Sequence, residues 1–183
     1  MAPVNSNFDT MNYHTLVLLL LLIPALANAR GEELTTPKLR ELEKIPVGLV
    51  VLHLPNKVFA TRGGPSGRPF TWVHSTRVAS DMHVVTMKEF GAFVWADERW
   101  VFSTYTGKPF TATDFAEWYR CPGAKVKPGR PCADASNWEG GTELKGGKLT
   151  GDKARWYFIG ILKNGTLVKG EAVVELMPSL AKQ

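Results

Sequence analysis

Apolar positions along the chain fall in short runs of strand length, and most of the runs carry aromatic or β-branched residues. Val47 to Leu54 is continuously apolar apart from Gly48 and His53 and is bounded by Pro46 and Pro55, which predicts a buried strand. From Phe70 to Val78 the pattern alternates: Trp72, His74, Thr76 and Val78 share one face, and Val73, Ser75 and Arg77 share the other. A further strand is predicted over Val84 to Phe93, after a connection at Ala79-Ser80-Asp81. The runs Glu89 to Trp95 and Trp100 to Thr104 flank Ala96-Asp97-Glu98-Arg99, a hairpin with a four-residue loop. The clearest pair is Ala154 to Leu162 and Thr166 to Leu176, joined by Lys163-Asn164-Gly165, because Asn-Gly between β-rich runs is a strong hairpin signal.

Helical signals are few. Thr111 with Asp114 three residues on reads as a capping box ahead of Phe115, Trp118 and Tyr119, and Cys121-Pro122-Gly123 stops the short helix. Leu34, Leu39 and Leu42 sit among charges between Glu32 and Lys44, a short helix or an extended arm. Asn137 to Lys153 is rich in Gly and Lys and predicts a long loop or linker between strands. The Gly-rich stretch Arg62 to Pro69 predicts a surface loop, since it matches neither the P-loop nor the dinucleotide fingerprint. About seven strands by this reading and one short helix predict a mainly β fold, an antiparallel two-sheet sandwich (immunoglobulin-like or related) or a partly open barrel.

Composition changes the picture at the N-terminus. Leu16 to Ile23 is apolar, is closed by Pro24 and is followed by Ala27-Asn28-Ala29, a small-x-small cleavage pattern; no Lys or Arg precedes it, unlike a typical signal peptide. The run falls short of the roughly 20 residues that span a bilayer, so residues 1–29 are expected to be a cleaved signal peptide. Residues 30–46 then form an N-terminal arm and 47–183 a single β-rich domain in a secreted or periplasmic protein. The remaining chain has 22 basic and 16 acidic residues, a charge of +6 spread along its length, which suits solubility as well as an anionic ligand. No nucleic-acid motif accompanies it.

Two cysteines in an exported chain predict one disulfide, Cys121 to Cys132. Neither a C-x-x-C spacing nor a G-x-S-x-G elbow is present, and Gly64-Pro65-Ser66-Gly67 is one residue off the latter. Asp114 and Glu117 lie on one helix face but suit capping and solvation better than acid–base work. His74, Met82 and His83, with Met87 nearby, form the one concentration of soft ligands, and they define a copper-binding alternative; core and strand-end positions are the plainer account. Trp95, Trp100, Tyr105, Trp118, Tyr119 and Trp138 cluster in sequence, mostly as core, with one or two available to a sugar, peptide or protein partner. The disulfide loop adds Lys125, Lys127 and Arg130, with Trp118 and Tyr119 beside it, as a partner-binding surface.

Together these features point to an exported non-enzymatic binding or accessory module without a cofactor, for a protein partner or anionic ligand. The copper-binding protein and a small hydrolase are the alternatives. No stable membrane anchor is expected after cleavage. The exported protein is expected to begin at Arg30; N-terminal sequencing or intact mass checks this, and retention of Leu16 to Ile23 in a membrane fraction would refute it.

Overall fold

Strand-length apolar runs with a buried face must find cover, and here they find it by curling one sheet around itself. The computed structural model describes residues 33–143 and 149–181. The expected signal peptide therefore lies outside the described residues. The strands are β1 (Val50–Leu54), β2 (Lys57–Arg62), β3 (Phe70–Ala79), β4 (Val85–Ala96), β5 (Arg99–Phe102), β6 (Phe110–Thr111), β7 (Lys125–Val126), β8 (Cys132–Gly141), β9 (Lys153–Ile161) and β10 (Leu167–Leu180). They join in one mixed sheet ordered β1-β3-β2-β10-β9-β4-β5, with β8 on the far side of β3 and β6 and β7 on β4.

The fold is mainly β, as the sequence predicts, but it is a curled half-barrel and not a clear antiparallel two-sheet sandwich. The reason lies in β2, which pairs antiparallel with β3 and parallel with β10 and so fuses what would be two sheets. β1 and β2 follow one another along β3, separated by Pro55 and Asn56, and the chain passes there from β3 toward β10.

The concave face holds the main core. Trp72, His74, Thr76 and Val78 of β3 all point inward, the face that their alternation predicts, while Val73 and Arg77 are exposed. At the centre, Phe90 of β4 stacks on Phe158 of β9 with ring centroids 5.6 Å apart. Two bulges keep the inward faces in phase. In β4 the register shifts between Met87 and Glu89, and in β8 it shifts opposite His74 and Thr76, so Asp134, Asn137 and Glu139 pair in turn with the inward residues Thr76, His74 and Trp72.

The convex face of β4 and β9 is also covered. Residues 33–44 form helix α1, whose Leu42 packs, with Ile45 just beyond its end, on Phe93, Phe102, Tyr157 and Ile159. The expected arm is thus part of the folded unit, tied down where Lys38 Nζ meets Glu89 at 2.7 Å and where Phe102 N–H donates to Thr35 Oγ1 at 2.8 Å. Burial alone would lower the Lys38 pKa, but its hydrogen bonds to Glu41 and Glu89 prevail and raise it. Gly91 is required on this face, since a Cβ there would stand 2.9 Å from the Tyr157 ring.

Three local expectations need correction. The β4–β5 hairpin has a two-residue turn at Asp97-Glu98, both at positive φ (48° and 60°), because a type I′ turn matches the twist of the strands and lets Trp95 face Trp100. The loop expected from Asn137 begins only after Gly141, as β8 runs that far along β3. Residues 57–62, not read as a strand, form β2. The C-terminal hairpin is as expected, with Gly165 at φ 86° and the sequon residue Asn164 in the exposed turn.

Helix α2 (Ala112–Trp118) has the expected capping box, with Thr111 and Asp114 bonded reciprocally, and buries Phe115 against Phe90. Cys121 and Cys132 are disulfide-bonded. Reduction is expected to remove roughly 3 kcal/mol of loop-closure stabilisation and lower the melting temperature by about 10 °C without loss of fold, because the Phe90–Phe158 core lies outside the loop. Thermal melts with and without reductant check this; an unchanged melt refutes it.

Candidate functional site

A half-barrel leaves a seam. One lip of it is β8, which pairs with β3; the other is β4 with the short strands β5, β6 and β7 laid along it. Helix α2 fills part of the gap. Tyr119 O accepts from Ala133 N–H at 3.1 Å, and the disulfide ties the segment after α2 to the first residue of β8.

The rest of the seam stays open as a cleft of about 860 Å³. Its walls are Asp134 to Gly140 of β8, the β5–β6 connection from Ser103 to Gly107, the end of α2 at Glu117 and Trp118, and Ser66 and Arg68 of the β2–β3 connection. Gly140 lets that connection close on β8, since a Cβ there would lie 2.8 Å from Ser66 Cβ. The stretch Arg62 to Pro69, read as a surface loop, thus contributes one wall.

Six of the lining residues are aromatic, set among polar ones. Tyr105 and Trp138 stand nearly parallel, 22° between planes with centroids 6.2 Å apart, and Tyr105 also neighbours Phe110 at 5.3 Å and Trp118 at 6.2 Å. Tyr105 is 65% exposed and Trp138 half-buried, so both rings offer surface to a ligand. Trp156 lies deeper, buried on β9.

Glu139 borders the same cleft and is 9% exposed. Burial pushes its carboxyl up to about 8, and the Trp156 indole N–H pulls the other way without meeting the geometry of a hydrogen bond. Glu139 Oε1 and Trp156 Nε1 have no hydrogen-bond partner among the described residues. Burial also raises the Asp134 carboxyl, against the hydrogen bonds from Ser136 and the Arg120 charge.

Behind the cleft wall runs a buried polar cluster. Asn137 donates to Thr76 Oγ1 at 2.9 Å, and His53 Nδ1 meets the same oxygen at 3.0 Å. His74 packs edge-on against His53, centroids 5.0 Å apart, and neither of its ring nitrogens meets the geometry of a hydrogen bond among the described residues. Burial lowers His53 to about 4 and His74, which also feels His53, to about 3.

Of the residues assigned a partner-binding surface in the sequence, only Trp118 lines the cleft, and it is joined there by Tyr105 and Trp138 of the aromatic cluster and by Ser66 and Glu117. Tyr119 is buried against Phe115 and Phe158, so it cannot anchor a partner. Lys125, Lys127 and Arg130 are exposed on the disulfide loop. His74 is buried with His53 as its neighbour, whereas Met82 and His83 are exposed on the β3–β4 connection. No group of three or more His, Cys, Asp or Glu positioned to hold a metal ion occurs among the described residues. Sequence reasoning missed Glu139 as a site residue because it lay in a presumed loop; the neighbouring Trp138 was a usable signal.

The sequence matches no protein-family model. It matches no curated protein either. A solved structure, the "Putative ApaA Protein" from Bordetella pertussis, aligns with a TM-score of 0.42 at 11% identity, over 76% of this chain and 98% of that chain.

The buried groups give the fold opposed pH limits. Each histidine is neutral in the fold below its ordinary value of 6.5, so its contribution is full above that pH and is lost as pH falls toward 4 and 3. Glu139 holds its proton in the fold up to about 8, so stability is full below its ordinary 4.5 and is lost as pH rises through 8. Glu139→Gln is expected to raise the melting temperature at pH 8 and flatten the alkaline limb; His74→Leu is expected to flatten the acid limb, which for one histidine slopes by about 1.4 kcal/mol per pH unit. Melting curves from pH 4 to 9 check both, and unchanged limbs refute the assignments.

Proposed function

We propose that the protein is an exported, non-enzymatic binding module that holds its ligand in the seam cleft. The observation that carries this reading is the pairing of accessible aromatic faces at Tyr105 and Trp138 with a buried carboxyl oxygen, Glu139 Oε1, that has no partner among the described residues, all bordering one cleft. A pocket of this size with aromatic walls and a few convergent polar groups is the usual form of a small-molecule site. A buried carboxylic acid without a partner costs about 1–3 kcal/mol, and its retention beside a cleft favours a role in recognition. Export is supported by the apolar run before Ala29 and by the disulfide. Among the described residues, no helix is long and apolar enough to cross a membrane.

The hydrolase alternative finds less support. Asp134 and Glu139 face the same interior, but they pair with Thr76 and Trp72, four positions apart on β3 and so about 13 Å along the strand, whereas a hydrolytic carboxylate pair needs about 5–9.5 Å. A second binding reading rests on the disulfide loop. Lys125, Lys127 and Arg130 are exposed on a segment pinned by the disulfide and by the pairing of Val126 with Val85, which suits an acidic protein partner.

Nuclear magnetic resonance titration with a small-molecule fragment library separates the two. Fragments are expected to shift the indole N–H signals of Trp138 and Trp156 in the wild type and in a Lys125→Glu, Lys127→Glu, Arg130→Glu variant alike. Shifts confined to the disulfide loop, or none at either tryptophan, would overturn the cleft reading.

A further inference from the structure

Resting on that reading of the cleft, we infer that its ligand class is the uncharged oligosaccharide: a pyranose face lies on Tyr105 and Trp138, and a ring hydroxyl reaches Glu139 and Trp156.

Three observations converge on this class. The first is the platform. The nearly parallel Tyr105 and Trp138 rings present electron-rich faces, which complement the weakly positive C–H groups on one side of a sugar ring. The second is the unmet hydrogen bonding at the floor. Trp156 Nε1 can only donate, and Glu139, protonated at neutral pH by its burial, both donates and accepts. A hydroxyl group, itself donor and acceptor, satisfies both at once. An ammonium group cannot accept from the indole and would require an ionised carboxylate; an anion could accept from both donors, and it is the balanced charge of the lining that does not favour it. Both atoms are sealed from solvent in this structure, so the proposed contact requires the Glu139 side chain to turn toward the cleft and uncover the indole N–H.

The third observation is charge. Arg68 and Arg120 in the lining are balanced by Glu117 and Asp134, and Arg120 already acts on Asp134. No sign dominates, so the cleft does not select a nucleotide or a uronate by its field, although the chain as a whole is basic. The volume matches a ligand of two or three sugar rings better than a single one.

The test is calorimetry and intrinsic tryptophan fluorescence on the exported protein, with cellotriose, maltotriose and chitotriose as neutral probes, and a uronate trisaccharide, tetraethylammonium chloride and an extended peptide as contrasts. At least one neutral trisaccharide is expected to bind saturably. Trp138→Ala and, independently, Tyr105→Ala should weaken that binding about tenfold or more, as loss of a stacking anchor does, with melting temperatures showing that each variant folds. Glu139→Gln keeps a donor and an acceptor and should bind within about threefold of wild type, whereas Glu139→Leu should lose about tenfold. Binding of the uronate, the ammonium salt or the peptide in place of every neutral sugar overturns the ligand class. Silence of the neutral sugars while fragments still shift Trp138 and Trp156 overturns the class and leaves the cleft standing; silence of both overturns the cleft as well.

Discussion

The constraint on which the rest depends is a sheet that curls without closing. Curling buries the concave face, with Trp72, Phe90, Trp156 and Phe158 in one core, yet β8 and β4 do not meet by strand pairing. Unpaired strand edges are a liability that proteins blunt with short strands, bulges or covering elements. This one uses all three. β5, β6 and β7 are short pieces along β4, β8 carries a bulge opposite His74 and Thr76, and α2 lies in the gap with the disulfide beside it. The cleft is what remains uncovered, so the same geometry that solves the edge problem creates the site.

The middle of the sheet faces the opposite demand. β9 is buried on both faces, Trp156 and Phe158 inward and Tyr157 and Ile159 outward. Such a strand cannot survive with one face in water, which explains why residues 33–44 are a docked helix and not a free arm. The part-buried Lys38–Glu89 contact fixes where that helix lies. Removing one partner would strand a charge in a half-dry environment, so the pair acts more as a register device than as a source of net stability.

Much of this was legible in the sequence where the signal was local. Asn164-Gly165, the Thr111–Asp114 capping box and the shared face of β3 each follow from residues within a few positions of one another, and the Cys121–Cys132 pairing follows from there being two cysteines, eleven positions apart. What was not legible depends on distant partners. Nothing in Lys57 to Arg62 announces that it bridges β3 and β10, and that bridge is what turns a sandwich into a half-barrel. β8 was hidden by Ala133, Ala135, Ser136 and two glycines, residues of low strand propensity; the glycines are needed because Trp72 packs where a Cβ of Gly141 would be, 2.5 Å away. With the end of β8 taken for a loop, Glu139 and Trp138 had no face, and the candidate surface legible in the sequence was the charged disulfide loop.

The two sets of buried polar groups differ in a way that bears on function. His53 is partnered through Thr76 and Asn137, and His74 is enclosed beside it, so the two histidines lie behind the cleft wall that Asn137 helps to form. Glu139 differs in position more than in chemistry: it too is buried and short of partners, yet it borders the open seam. An apolar or amide side chain there would remove the conflict between burial and charge at little steric change. A group that weakens the fold above its ordinary pKa, held beside exposed aromatic faces, is what the proposed reading of the cleft requires, since there a partner from solution would supply the contact that the fold does not.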